Sequence, residues 1–126
     1  MPFMKVIHDR AIVEVMRGCN RGCRFCQAGI FYRPVRERGK EEIVEGVREI
    51  LKGTGYDEVS LLSLSTMDHS QIGELTDSLL PLMEPRRIAL SLPSSRVDAF
   101  DVEIASRIAS IRKTGLTFAP EAGTQR

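Results

Sequence analysis

The spacing of apolar residues changes several times along the chain, and each change marks an element. Ala11-Ile12-Val13-Glu14-Val15-Met16 is β-branched and almost wholly apolar, as expected of a strand covered on both faces. Ile43, Val44, Val47, Ile50 and Leu51 recur at helical spacing instead. With Glu41 and Glu42 in the first turn, where the helix dipole favours anions, and Gly53 and Gly55 at the end, they predict a helix over 40–52. Val59 to Ser65 predicts a second strand. Asp68 with Gln71 resembles a capping box for a helix whose stripe is Ile72, Leu75, Leu79 and Leu82, and Pro81 is expected to kink or end it. Arg87 to Leu92 predicts a third strand stopped by Pro93. Asp101 is placed to cap a helix with Ile104, Ala105, Ile108 and Ile111 inward, closed by Gly115. Leu116-Thr117-Phe118-Ala119 predicts a fourth strand. The arginine-rich segment from Gln27 to Gly39 has no period and reads as loop with a short helical turn.

Strands that alternate with helices through short connections require crossovers, and hence an α/β fold with a parallel sheet covered by helices. Ligands in such folds meet the C-terminal strand ends. Here these are Gly18-Cys19, Ser65-Thr66-Met67, Pro93-Ser94-Ser95-Arg96 and Pro120-Glu121-Ala122-Gly123. Counting by twos puts Glu14 with Met16, Ser63 with Ser65 and Ala89 with Ser91, opposite Val13, Leu62, Leu64, Leu90 and Leu92. The small polar face is expected on the concave side of the sheet, toward a ligand. The competing reading is a set of buried serines with satisfied hydroxyls.

Composition narrows the class. At 126 residues, with 42% hydrophobic and 28% charged positions, the chain is long enough to bury a core and is not compositionally disordered. A net charge of +1 gives no global attraction to nucleic acid or to an anionic membrane. No basic leader precedes an apolar run, and no apolar stretch approaches about 18 residues, so a cytoplasmic protein without a membrane partner is expected. The chain has three cysteines, an odd and local set that fits a reducing compartment better than a disulfide framework.

Those cysteines, Cys19, Cys23 and Cys26, form a C-x3-C-x2-C cluster directly after the first strand. Thiolates are soft ligands suited to zinc or iron-sulfur clusters. A structural zinc is normally closed by four protein ligands, so a zinc site would have to recruit His8, His69 or another molecule. Incidental or redox thiols are a further alternative. A four-iron cluster on three cysteines leaves one iron open to an exogenous ligand, which implies chemistry at that iron.

The loop, with Phe25 at its aromatic position, and the βα units after it resemble the radical S-adenosylmethionine enzymes. Val15 to Gly29, Tyr32 to Arg38 and Thr117 to Thr124 are similar to an uncharacterised subfamily grouped with the B12-binding and methylthiotransferase-type branches. The resemblance implies a partial (βα) barrel of about four parallel units, an incomplete radical S-adenosylmethionine core domain over 1–126 that lacks later strands. Cys19, Cys23 and Cys26 would bind a [4Fe-4S] cluster whose open iron is chelated by S-adenosylmethionine, with reductive cleavage to methionine and a 5'-deoxyadenosyl radical. Flavodoxin or ferredoxin would donate the electron, and cobalamin would enter through a domain outside this chain.

Position by position, the resemblance implies that Phe25 lies near the adenine. The Gly-Gly-Glu common in the family is replaced by Ser63-Leu64-Ser65-Thr66, leaving backbone carbonyls or the Ser65 and Thr66 hydroxyls to receive the methionine ammonium. Arg96 is a candidate for the methionine carboxylate, by its bidentate fork. Glu121 is a candidate for the ribose or methionyl contact. Arg33 to Arg38 has two readings, an RNA-backbone contact or a solvated loop packed against another domain. The alternative to the enzyme is a non-catalytic zinc-binding or interaction module.

Overall fold

The computed structural model describes residue 4 and residues 7–121. Ala122 and Gly123, the last part of the fourth predicted strand end, lie outside the described residues. The first apolar run divides in two. β1 (Ala11–Glu14) stays in the main sheet, and β2 (Met16–Arg17) leaves it. The division falls at Val15, whose amide donates to the Leu62 carbonyl at 3.0 Å while its carbonyl accepts from the Arg38 amide at 2.9 Å.

The segment expected to be loop is more ordered than its pattern suggests. It holds the short helix α1 (Gln27–Phe31) and β3 (Arg36–Glu37), which pairs antiparallel with β2. This pair closes the base of the excursion that carries the cysteines. Sequence period could not show it, because two-residue strands have none.

α2 (Lys40–Gly53) follows the predicted helix, with Ile43, Val47 and Leu51 buried. β4 (Glu58–Leu62) comes next, then a 3-10 turn at Thr66–Asp68 and α3 (Ile72–Met83). Pro81 does not end α3. It sits near the C-terminus on an exposed side, where the carbonyl deprived of its partner can meet water. The expected capping box is absent: α3 starts after Gln71 with no side-chain cap, and Asp68 has another use, described below.

β5 (Ala89–Ser91) and β6 (Ser95–Arg96) make up the third strand region. α4 (Val102–Ile111) is capped by Asp101, whose carboxylate accepts from the Glu103 and Ile104 amides at 2.8 and 3.1 Å. α4 ends at Ile111, before Gly115, and β7 (Phe118–Ala119) follows.

β1, β4 and β5 form a parallel three-stranded sheet in that order, and β6 and β7 form a separate parallel pair. The fold is α/β with parallel strands. α2 packs on β1, α4 packs on β5, and α3 lies between the two helices. Among the described residues no helix is long and apolar enough to cross a membrane.

Register decides which side of the sheet meets the helices. Val13 lies opposite Leu61, and Val59 lies opposite both Ala11 and Leu90. These residues are buried with Ile43, Val47, Leu75, Leu79, Ile104 and Ile108. The other face carries Ile12, Glu14, Ser60, Leu62, Ala89 and Ser91. Glu14, Ala89 and Ser91 therefore lie where alternation put them, but Leu62 and Leu64 do not, being 45% and 40% exposed. The pattern was ambiguous because Leu61 and Leu62 are adjacent, and the pairing with Val13 selects Leu61 for the core. Ser63 and Ser65 are past the end of β4 and buried; Ser63 shares a hydrogen bond with Thr66 and Ser65 donates to Asp68. For these two the satisfied-serine reading holds.

This assignment makes a stability prediction. Leu61→Ala should cost about 2–5 kcal/mol, whereas Leu62→Ala should stay within roughly 1 kcal/mol. Urea denaturation of both variants measures it, and equal losses would mean that the faces are assigned wrongly.

Candidate metal centre

The loop begins at a backbone constraint. Gly18 has φ +88°, and a Cβ built there would lie 2.7 Å from the Tyr32 carbonyl oxygen and 3.2 Å from that of Pro34. No side chain fits such a position. The chain can therefore turn out of β2 directly beneath the 32–35 segment, which presents Cys19 at the C-terminal edge of the sheet.

The three cysteines are free and partly exposed, and the Cys26 amide donates to the Cys23 carbonyl at 3.1 Å. Gly29 lies beneath them: a Cβ there would sit 3.8 Å from Cys26 Sγ and 4.0 Å from Cys19 Cβ. Cys23 has polar neighbours from the third-strand side. Arg96 Nη1 donates to its sulfur at 3.6 Å, and the thiol lies 3.9 Å from Glu121 Oε2. Three accessible soft donors without a disulfide suit a thiolate-ligated cluster. No group of three or more His, Cys, Asp or Glu among the described residues is gathered around a single-ion position.

The two histidines named as candidates for a fourth zinc ligand each have a neighbour of their own. His69 is buried; its Nδ1 accepts from the Gln71 amide, leaving Nε2 to donate to the Arg38 carbonyl, each at 3.2 Å. His8 Nδ1 is 2.8 Å from Arg10 Nη2.

Two ion pairs that the sequence did not announce surround the loop. Arg21, between Cys19 and Cys23, forks onto Asp68, with its Nε donating at 2.8 Å. Asp68 also accepts from Ser65 Oγ at 2.7 Å. Arg96 forks onto Asp98, both bonds 2.9 Å, and Asp98 is 3.8 Å from Arg21 Nη1. The Arg21 fork holds the Asp68 carboxyl below its usual range, overcoming burial, with the Ser65 bond adding to it. Asp98 is lowered chiefly by Arg96. Arg96 is raised, first by Asp98 and also by Cys23. The signal that could have exposed these pairs is an arginine inside the thiol loop together with acids just past the second and third strands.

The other candidates are distributed unevenly. Phe25 is 71% exposed, so it does not pack under the loop. Thr66 is fully buried, and its hydroxyl donates toward the Leu61 and Pro93 carbonyls at 3.2 Å and meets Ser63 Oγ at 2.9 Å. The Ser65 hydroxyl is committed to Asp68, and the Arg96 fork to Asp98. Glu121 has φ +65° and Ser94 φ +62°, a conformation non-glycine residues seldom hold unless their surroundings enforce it. Both flank the β6–β7 pair. An open cleft of ≈ 330 Å³ beside the loop is lined by Glu14, Met16, Arg17, Gly18, Tyr32, Leu62, Ser63 and Leu64.

The Asp68 pair makes stability depend on pH. A carboxyl whose folded pKa is depressed contributes stability above its unfolded value, about 3.9, and loses it as pH falls through the lower folded value. The stability difference between the chain and Asp68→Asn, followed by urea melts at stepped pH, should be full near neutrality and shrink below about pH 4. A difference that does not change with pH would contradict the pair.

Residues 13–126 match the family model described as Radical SAM superfamily. The chain is similar to an uncharacterized protein of Methanocaldococcus jannaschii, 33% identical over 91% of this chain and 24% of that protein. It is also similar to the ribosomal protein uS12 methylthiotransferase of Campylobacter fetus, 25% identical over 69% of this chain and 20% of that protein. With the tRNA-2-methylthio-N(6)-dimethylallyladenosine synthase of Staphylococcus epidermidis it shares 27% identity over 68% of this chain and 18% of that protein. The chain thus spans about a quarter or less of the length of these relatives.

Proposed function

The chain belongs to the radical SAM superfamily, whose model it matches over residues 13–126, and on that premise we propose that Cys19, Cys23 and Cys26 hold a [4Fe-4S] cluster with one iron left for S-adenosylmethionine. Proteins of this superfamily use such a cluster and S-adenosylmethionine. The observation that carries the assignment is the set of three free, part-exposed thiols in one loop at the C-terminal edge of a parallel sheet, while the buried His69 has both ring nitrogens bonded elsewhere. When bound, the cluster supplies the electron that cleaves S-adenosylmethionine to methionine and a 5'-deoxyadenosyl radical.

The chain's own residues bind and orient. The exposed Phe25 ring covers the adenine. The methionine ammonium is received by backbone carbonyls of the Ser63-Leu64 turn, which lines the cleft, because Ser65 and Thr66 are buried. Arg96 keeps Nη1 toward Cys23 and, with its fork on Asp98, serves a ligand carboxylate only by exchanging that partner. Glu121, held near Cys23, faces the methionyl or ribose end. The strands form the first part of a (βα) barrel of about four units, a reading supported by the parallel pairing of β7 with β6.

An external one-electron donor of the flavodoxin or ferredoxin kind reduces the centre. The substrate class is open between the two kinds of target named for the relatives, a ribosomal protein and a tRNA nucleoside. The unperiodic arginine segment, tied back by the β2–β3 pair, supports packing within a larger protein more than it supports RNA binding.

Anaerobic reconstitution tests the assignment. The chain should take up about four iron and four sulfide, and Cys19→Ser, Cys23→Ser and Cys26→Ser should each lose most of that uptake. The EPR signal of the reduced protein should shift when S-adenosylmethionine is added. Stoichiometric zinc with no iron, or a signal indifferent to S-adenosylmethionine, would sink the proposal.

A further inference from the structure

Arg21 is the middle residue of the three between Cys19 and Cys23. Its guanidinium reaches 47 positions along the chain to Asp68 and meets both carboxylate oxygens. Asp68 is not an ordinary surface acid. Its side chain is only 7% exposed, and Ser65 Oγ fixes it from the side of the sheet at 2.7 Å. It stands in the 3-10 turn that follows β4, so its position is set by the sheet. The spacer it holds contains Gly22 at φ +66°, a residue with more freedom than any other.

A loop of this kind must lose conformational freedom before three sulfurs can take fixed places around a cluster. The Arg21 fork restricts the spacer in advance, from an anchor inside the fold. We propose that Arg21 is a positioning residue for the metal centre: its bidentate contact with Asp68 fixes the separation and facing of Cys19 and Cys23 before the cluster is assembled. The inference rests on the reading that the three cysteines hold a cluster. It requires a planar fork, because one ammonium cannot engage both carboxylate oxygens in a fixed plane. Asp98, 3.8 Å from Arg21 and forked by Arg96, supports the same guanidinium from the third-strand side.

The test compares the reconstituted chain with Arg21→Lys, Arg21→Ala, Asp68→Asn and the double variant Arg21→Ala/Asp68→Asn. The readouts are the rate of iron loss to a chelator, the EPR spectrum of the reduced protein and the melting temperature of the iron-free chain. Each single variant should lose iron about tenfold faster or more, as is typical when the partners that orient metal ligands are removed. The reduced signal should broaden into more than one species. Arg21→Lys should resemble Arg21→Ala while its iron-free form melts near the parent, and the double variant should be no worse than the poorer single. Arg21→Lys retaining the parental rate and signal would overturn the proposal, as would losses that simply track melting temperature. A parent chain that takes up no iron would remove the cluster reading and this inference together. A parent that holds its cluster beside equally retentive variants removes this inference alone.

Discussion

Strands that run in the same direction all end on the same side of their sheet, and each connection must travel back before the next strand begins. The arrangement around Cys19–Cys26 depends on that constraint. β1, β4 and β5 are parallel, so the residues beyond their C-terminal ends collect along one edge however far apart they lie in sequence. The thiol loop leaves from the first, Ser63 to Asp68 from the second, and Ser94 to Asp98 from the third. The parallel β6–β7 pair brings Glu121 to the same edge. The helices take the opposite face, with Val13, Val59, Leu61 and Leu90 as their footing.

Within that edge, electrostatics set the finer arrangement. Three cysteine sulfurs gathered in one loop repel one another when ionised, and the positive charge of an iron-sulfur core offsets that only in part. The protein answers with two arginines, each held by its own acid: Arg21 on Asp68 and Arg96 on Asp98. A guanidinium alone would be mobile; a forked one is directed. Arg96 thereby points Nη1 at Cys23, and Arg21 ties the middle of the spacer to the sheet. Gly18 does the corresponding work in the backbone, since only a glycine can pass so close to the 32–35 segment.

Much of this was legible in the sequence, for physical reasons that differ by element. The amphipathic stripe of α2 and the Asp101 cap of α4 are local patterns, and both appear where local rules place them. The thiol spacing and its position after an apolar strand led to the family that the comparisons support. What was lost depended on register or on distance along the chain. Leu61 and Leu62 could not be told apart until β4 was paired with β1. The β2–β3 pair is too short to show any period. Asp68 looked like a helix cap because a capping box is read three residues ahead, whereas its partner lies 47 residues behind. The bonds that the Ser65 and Thr66 hydroxyls make within the turn likewise depend on how the chain folds back after β4.

The central claim is that three thiolates from one loop complete all but one corner of an iron-sulfur cluster. Mössbauer spectroscopy of the chain reconstituted with ⁵⁷Fe, recorded with and without S-adenosylmethionine, examines that corner directly. One iron should change its isomer shift on addition of S-adenosylmethionine while the others keep theirs. Iron sites that all remain unchanged, or that all change alike, would contradict the account.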